Sequence, residues 1–108
     1  MAKYLFLYYG GKMGATPREI QKSTAEWVAW FNSMGKSLVD TGTPTTAGKT
    51  VSATGVRATA KAQDVTGYTI VKADTMEGAI KMAKGAPGIA KGMKVAVYPM
   101  VEMAPPGK

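Results

Sequence analysis

The chain has 108 residues, of which 45% are hydrophobic, and its formal net charge is +7. This length is typical of one domain, and the hydrophobic content is too high for a disordered chain. The chain contains neither cysteine nor histidine, which excludes disulfides, thiol nucleophiles and imidazole acid–base chemistry. We expect no metal site and no cofactor, and we predict a single domain over residues 1–103 with a flexible tail at 104–108.

The positive charge and the first apolar segment bear on partners and location. The lysines are dispersed along the chain, and none of them forms a basic run with aromatic residues, so a solvated surface is favoured over a nucleic-acid site. The first apolar segment ends at Gly10 and is too short for a signal sequence or a membrane span. We therefore predict a soluble cytoplasmic protein.

The first half of the chain predicts a strand and a long helix. The segment Lys3–Tyr9 is rich in aromatic residues and leucine and is followed by two glycines, as in a strand. Thr16 and Glu19 then have the spacing of a capping box. The helix they begin is predicted to continue to Gly42, because apolar residues recur at steps of three and four as far as Leu38. The members of this stripe are Ile20, Trp27, Phe31, Met34 and Leu38.

The second half predicts the remaining strands and a second helix. A loop rich in threonine and glycine contains a short strand near Thr50–Ala53, and residues 55–63 are either a weak strand or a mobile hairpin. The β-branched segment Val65–Ala73 is a strand. Asp74 is the predicted N-cap of the second helix, and Lys94–Met100 is the last strand.

This order of elements predicts the architecture. Strand, helix, strand, strand, helix, strand is the ferredoxin-like β-α-β-β-α-β order of an α+β protein with an antiparallel sheet. The helices cover one face of such a sheet. The other face is left apolar and must be buried by something, which favours a homodimer.

Several segments also resemble the YCII-related family of dimeric α/β barrel proteins. They are residues 4–8 before the glycine pair, 30–35, 38–42, 67–74, 76–79 and 84–87. The resemblance implies a ferredoxin-like protomer whose sheet packs against the sheet of its partner. Some family members carry a histidine proposed to act with an acidic residue, and others carry an Asp-Gly-Pro-Phe segment. This chain has neither, so we expect no histidine-based activity.

Aromatic and acidic residues provide the candidate site, a cleft between the first helix and the sheet. Trp27 lies on the core stripe, whereas Trp30 is offset from it by about 60° and is expected to line the cleft. Asp40 is predicted at the end of the helix, where the helix dipole disfavours a carboxylate. Trp30 and Asp40, together with Tyr8 of the first strand and Tyr68, are our ligand-binding candidates. Packing in the core or the dimer is the alternative role of the tyrosines.

Three functions remain open from the sequence. The first is a small-molecule-binding homodimer. The second is an enzyme of isomerase or monooxygenase type, as among other dimeric α/β barrels, with Tyr, Asp or Lys moving the proton and with its catalytic residues unknown. The third is a basic nucleic-acid-associated protein, which the scattered lysines make unlikely. A pocket of several hundred Å³ beside Trp30 and Asp40 is the feature that would favour ligand binding.

Overall fold

A computed structural model describes residues 2–11 and 16–103. Its elements in chain order are β1 (Ala2–Tyr9), α1 (Pro17–Met34), β2 (Leu38–Asp40), β3 (Lys49–Ser52), β4 (Gly55–Ala58), β5 (Val65–Ala73), α2 (Met76–Ala83) and β6 (Lys94–Pro99). The main sheet has the order β2-β5-β1-β6, with antiparallel neighbours. This is the ferredoxin-like arrangement, with β3 and β4 inserted before its third strand. The predicted α+β class is therefore confirmed, and the predicted tail at 104–108 lies outside the described residues.

The core lies between the two helices and one face of the sheet. Side chains alternate between the two faces of a strand, and on β1 the buried positions are Tyr4, Phe6 and Tyr8. On β5 every second residue from Gly67 to Ala73 is buried in the same way. The helices contribute Trp30, Ala79 and Ala83 to this core. The sheet is thus packed on one side only.

The first helix begins where the sequence predicts but ends earlier. The Thr16 hydroxyl accepts a hydrogen bond from the Glu19 amide at 3.1 Å, which confirms the cap. The helix ends at Met34, followed by Gly35 with a φ of +53°. The predicted end at Gly42 is wrong because Leu38 continues the apolar spacing of the helix but belongs to β2, where it pairs with Val71 and packs against the same core.

The second strand of the main sheet is a different segment from the predicted one. A strand near Thr50–Ala53 does exist as β3, but it pairs with β4 in a separate two-stranded sheet. All eight residues of these two strands are exposed. The second strand of the main sheet is β2, which has three residues and is too short to show a period of two. Residues 55–63 were predicted as either a weak strand or a mobile hairpin. The structure has a strand there, β4, which forms a hairpin with β3.

The other elements follow the prediction closely. The bounds of β5 are those predicted. The strand β6 lies at the edge of the sheet and ends at Pro99, where the missing amide hydrogen of proline removes no hydrogen bond between strands. The N-cap of α2 is Thr75, whose hydroxyl accepts a hydrogen bond from the Gly78 amide at 3.0 Å. The prediction of Asp74 was wrong by one residue, since both residue types cap helices. Among the described residues, no helix is long and apolar enough to cross a membrane.

The centre of the sheet face away from the helices is apolar. In the strand register, Leu5 lies between Ile70 and Tyr98, and Leu7 lies between Tyr68 and Ala96. These pairs face away from the core, because they alternate with the buried residues of the same strands. Tyr98 is 49% exposed, and the other five are partly buried. We call this set of six residues the open face.

Candidate functional site

An open cleft of about 520 Å³ lies between α1 and the sheet. The α1 residues that line it are Ile20, Ser23, Thr24, Trp27, Val28 and Phe31. Opposite them are the chain segment 41–45, which we call the wall segment, and residues 66–69 of β5. Tyr8 of β1 also lines the cleft, as do residues at 88–93 that precede β6. One side is therefore mostly apolar, and the other is rich in threonine and main-chain groups.

The wall segment is fixed at its start by a side chain and is held against β5 further along by main-chain contacts. The Gly42 amide donates a hydrogen bond to Asp40 Oδ1 at 2.9 Å. Further along, the Thr45 amide donates to the Thr66 carbonyl at 3.0 Å, next to a bridge between Pro44 and Gly67. Gly42 has a φ of +71°, and a Cβ atom added there would lie 1.7 Å from the carbonyl oxygen of Tyr68. The wall therefore runs so close to β5 that only glycine fits at position 42.

A buried chain of hydrogen bonds joins β1, β5 and the wall segment. The Tyr8 hydroxyl donates a hydrogen bond to Thr69 Oγ1 at 2.6 Å, and the Thr69 hydroxyl in turn donates to the Thr41 carbonyl at 2.9 Å. Burial raises the pKa of Tyr8 to about 12, although the hydrogen bond with Thr69 partly opposes that rise. Tyr8 is therefore protonated at neutral pH, and its proton is already donated within the protein. Its role in the cleft is to hold the lining in place.

A cluster of aromatic rings supports the apolar side of the cleft. The ring of Trp27 meets that of Tyr8 edge-on at a centroid distance of 5.2 Å, and it meets the ring of Trp30 at 5.4 Å. Trp30 lies deeper, with 7% of its surface exposed, and it stacks on Phe6. Its indole nitrogen donates a hydrogen bond to the Met82 carbonyl at 3.1 Å. Trp30 is thus a core residue that connects α1 to α2.

The four sequence candidates occupy different places. Tyr8 lines the cleft, and Tyr68 borders it although its register opposite Leu7 points its side chain toward the open face. Trp30 does not line the cleft, and Trp27 does, which reverses the predicted placement of the two rings. Asp40 lies on β2 and not at a helix end, and there it fixes the turn at Gly42.

Sequence reasoning missed several lining residues. Ile20, which was predicted on the core stripe, and Val28 are 44% and 49% exposed on α1. An apolar residue outside the stripe is the signal that could have found Val28. Thr69, fully buried on β5, gave a weaker signal as a polar residue within an apolar strand. Lys91 gave none, since it is one of many dispersed lysines. Among the described residues, no group of three or more acidic, cysteine or histidine side chains could hold a metal ion.

Comparison with known proteins gives one family match. The family model described as the YCII-related domain matches residues 2–104, which is nearly the whole chain and agrees with the resemblance seen in the sequence. No curated protein matches.

Proposed function

This chain belongs to the YCII-related family, and we propose that it binds a small, largely apolar molecule in the cleft between α1 and the sheet. The observation that carries the proposal is the cleft itself. Its volume of about 520 Å³ lies in the range of about 300–1,000 Å³ typical of small-molecule sites. Its lining combines apolar and aromatic side chains with a smaller number of hydroxyl groups, as such sites do.

The exposed apolar residues of α1 support the same proposal. Ile20 and Val28 are almost half exposed at the cleft, beside the aromatic ring of Trp27. Covering apolar surface is favourable by about 25 cal/mol per Å². A ligand that fills the cleft gains this energy, while the hydroxyl groups of the opposite wall orient it.

Replacing Trp27 with alanine is expected to weaken binding about tenfold. An aromatic contact is worth up to about 1.5 kcal/mol beyond the area it buries, and about 1.4 kcal/mol corresponds to a factor of ten. The probe is 1-naphthaleneethanol, a neutral aromatic alcohol, and its affinity is measured by isothermal titration calorimetry.

Two matched isoleucines provide the control, because Trp27 also supports the fold. Ile20→Ala removes an exposed side chain from the cleft, and Ile80→Ala removes a similarly exposed one from α2. We expect the first to weaken binding and the second to leave it unchanged. Equal affinity in the Ile20 and Ile80 variants, or no binding of the probe by the folded protein, would contradict the proposed site.

We also propose that two copies pair through the open face. Six apolar or aromatic residues lie together on that face, with Leu5 and Leu7 at its centre. A domain of this size buries only about two-thirds of its surface when it folds alone, so a second sheet would cover what the helices leave uncovered. The absence of cysteine is compatible with the reducing cytoplasm that we propose as its location.

Sedimentation should give twice the chain mass of 11.3 kDa. Leu7→Lys places a charge at the centre of the open face and is expected to give the monomer mass. Val51→Lys adds the same charge on the exposed β3 strand and is expected to leave the dimer intact. A wild-type protein that stays monomeric at micromolar concentration would rule out this pairing.

A further inference from the structure

We propose that the cleft selects molecules in which an apolar body carries one negatively charged group, such as a carboxylate, and that Lys91 pairs with that group. The inference rests on the proposed function of the cleft, and it adds the charge of the ligand. The volume and the apolar lining of the cleft do not by themselves determine the sign of the charge on its ligand.

The position of Lys91 is the first observation. Lys91 is the last residue of the 3-10 segment Pro87–Lys91, and it lines the cleft. The turn after it is fixed by Gly92, whose φ is +92° and whose amide donates to the Ile89 carbonyl at 3.1 Å. The main chain therefore holds this lysine at the cleft, while its long side chain stays adjustable.

Lys91 forms an ion pair with Glu26, but this pair leaves most of the hydrogen-bonding capacity of Lys91 available. Its Nζ atom lies 3.7 Å from Glu26 Oε1, and both side chains are more than 40% exposed. Strong hydrogen bonds between charged groups are about 2.7–2.9 Å long, and exposed ion pairs contribute little to stability. An ammonium group has three donors, so Lys91 can keep this distant pair or replace it with an anion in the cleft.

The rest of the lining gives the sign of the preference. Within the described part of the chain, Lys91 is the one charged residue among those that line the cleft. The other polar side chains that line it are the uncharged hydroxyls of serine, threonine and tyrosine, so no negative charge in the lining opposes an anion. The net charge of +7 attracts anions toward the protein as a whole. A cationic ligand would meet both the lysine and this field.

The test compares two probes that share one ring system. We expect 1-naphthaleneacetate to bind about fivefold more tightly than 1-naphthaleneethanol in calorimetry at low ionic strength. Lys91→Met keeps a long apolar side chain and is expected to abolish this difference. Lys84→Met removes an exposed lysine at the end of α2 that does not line the cleft. This control has the same change in net charge, and it should retain the preference.

The outcomes separate the charge of the ligand from the existence of the site. Equal binding of the two probes by the wild-type protein, or a preference that survives in Lys91→Met, would overturn the inference and leave cleft binding in place. Equal loss of the preference in the Lys84 and Lys91 variants would assign it to net charge and would also overturn the inference. Failure of both probes to bind the folded protein would count against the proposed function itself.

Discussion

Replacing Trp30 with alanine is expected to lower the free energy of unfolding by about 3–5 kcal/mol. The side chain is 7% exposed, stacks on Phe6 and donates to the Met82 carbonyl. Its loss would leave a cavity between the sheet and both helices, and it would leave that carbonyl without this donor. Such a cost is a large share of the stability of a domain this size. Urea unfolding followed by circular dichroism measures it.

Trp27→Ala is the control for this experiment. Trp27 is only partly buried and has no corresponding hydrogen bond to α2 in the described structure, so its removal should destabilise the protein less. The two variants should therefore differ in kind, with Trp30 important for folding and Trp27 for binding. A larger loss of stability for Trp27→Ala than for Trp30→Ala would contradict the placement of the two rings.

Replacing Gly42 with alanine is expected to lower the free energy of unfolding by more than Gly35→Ala does, where the sparsely populated backbone conformation alone costs about 1–3 kcal/mol. Both glycines have a positive φ, which is unfavourable for alanine. At Gly35 the added Cβ meets nothing within 4 Å, whereas at Gly42 it would lie 1.7 Å from the Tyr68 carbonyl oxygen. The difference between the variants isolates the close approach of the wall segment to β5. Chemical denaturation of both variants measures it.

The wall segment also gives this experiment a second measurement. If Gly42→Ala is accommodated by movement of that segment away from β5, the cleft changes shape and 1-naphthaleneethanol should bind more weakly. Gly35 does not line the cleft, so Gly35→Ala should bind the probe normally. Equal stability and equal binding in the two variants would show that the wall does not need glycine at position 42.

Local signals in the sequence were enough for most of the fold. The capping residue Thr16, the aromatic residues and leucines of β1 and the β-branched residues of β5 predicted the order of elements. The end of α1 could not be predicted, because Leu38 fits the apolar period of a helix and also faces the core from an edge strand. The strand β2 has three residues, and its pairing with β5 depends on contacts that are distant in the sequence.

The candidate site was harder to predict for a related reason. Two tryptophans three residues apart lie on neighbouring sides of a helix, and the apolar stripe favoured Trp27 as the buried one. Trp30 is the buried one because its indole nitrogen donates a hydrogen bond to the Met82 carbonyl of α2. An acceptor 52 positions away in the chain leaves no trace in the local pattern. The position of the cleft was predicted, but which tryptophan lines it and which is buried in the core was not.

The hairpin of β3 and β4 gives the chain a region where its length can change at little cost. Every residue of both strands is exposed, and Gly55 at the start of β4 meets nothing within 4 Å of an added Cβ. Lengthening a surface loop raises its closure entropy only slowly, by about 0.6 kcal/mol for each doubling. Insertions and deletions during evolution can therefore accumulate at the turn between Ser52 and Gly55 while the cleft and the core keep their geometry.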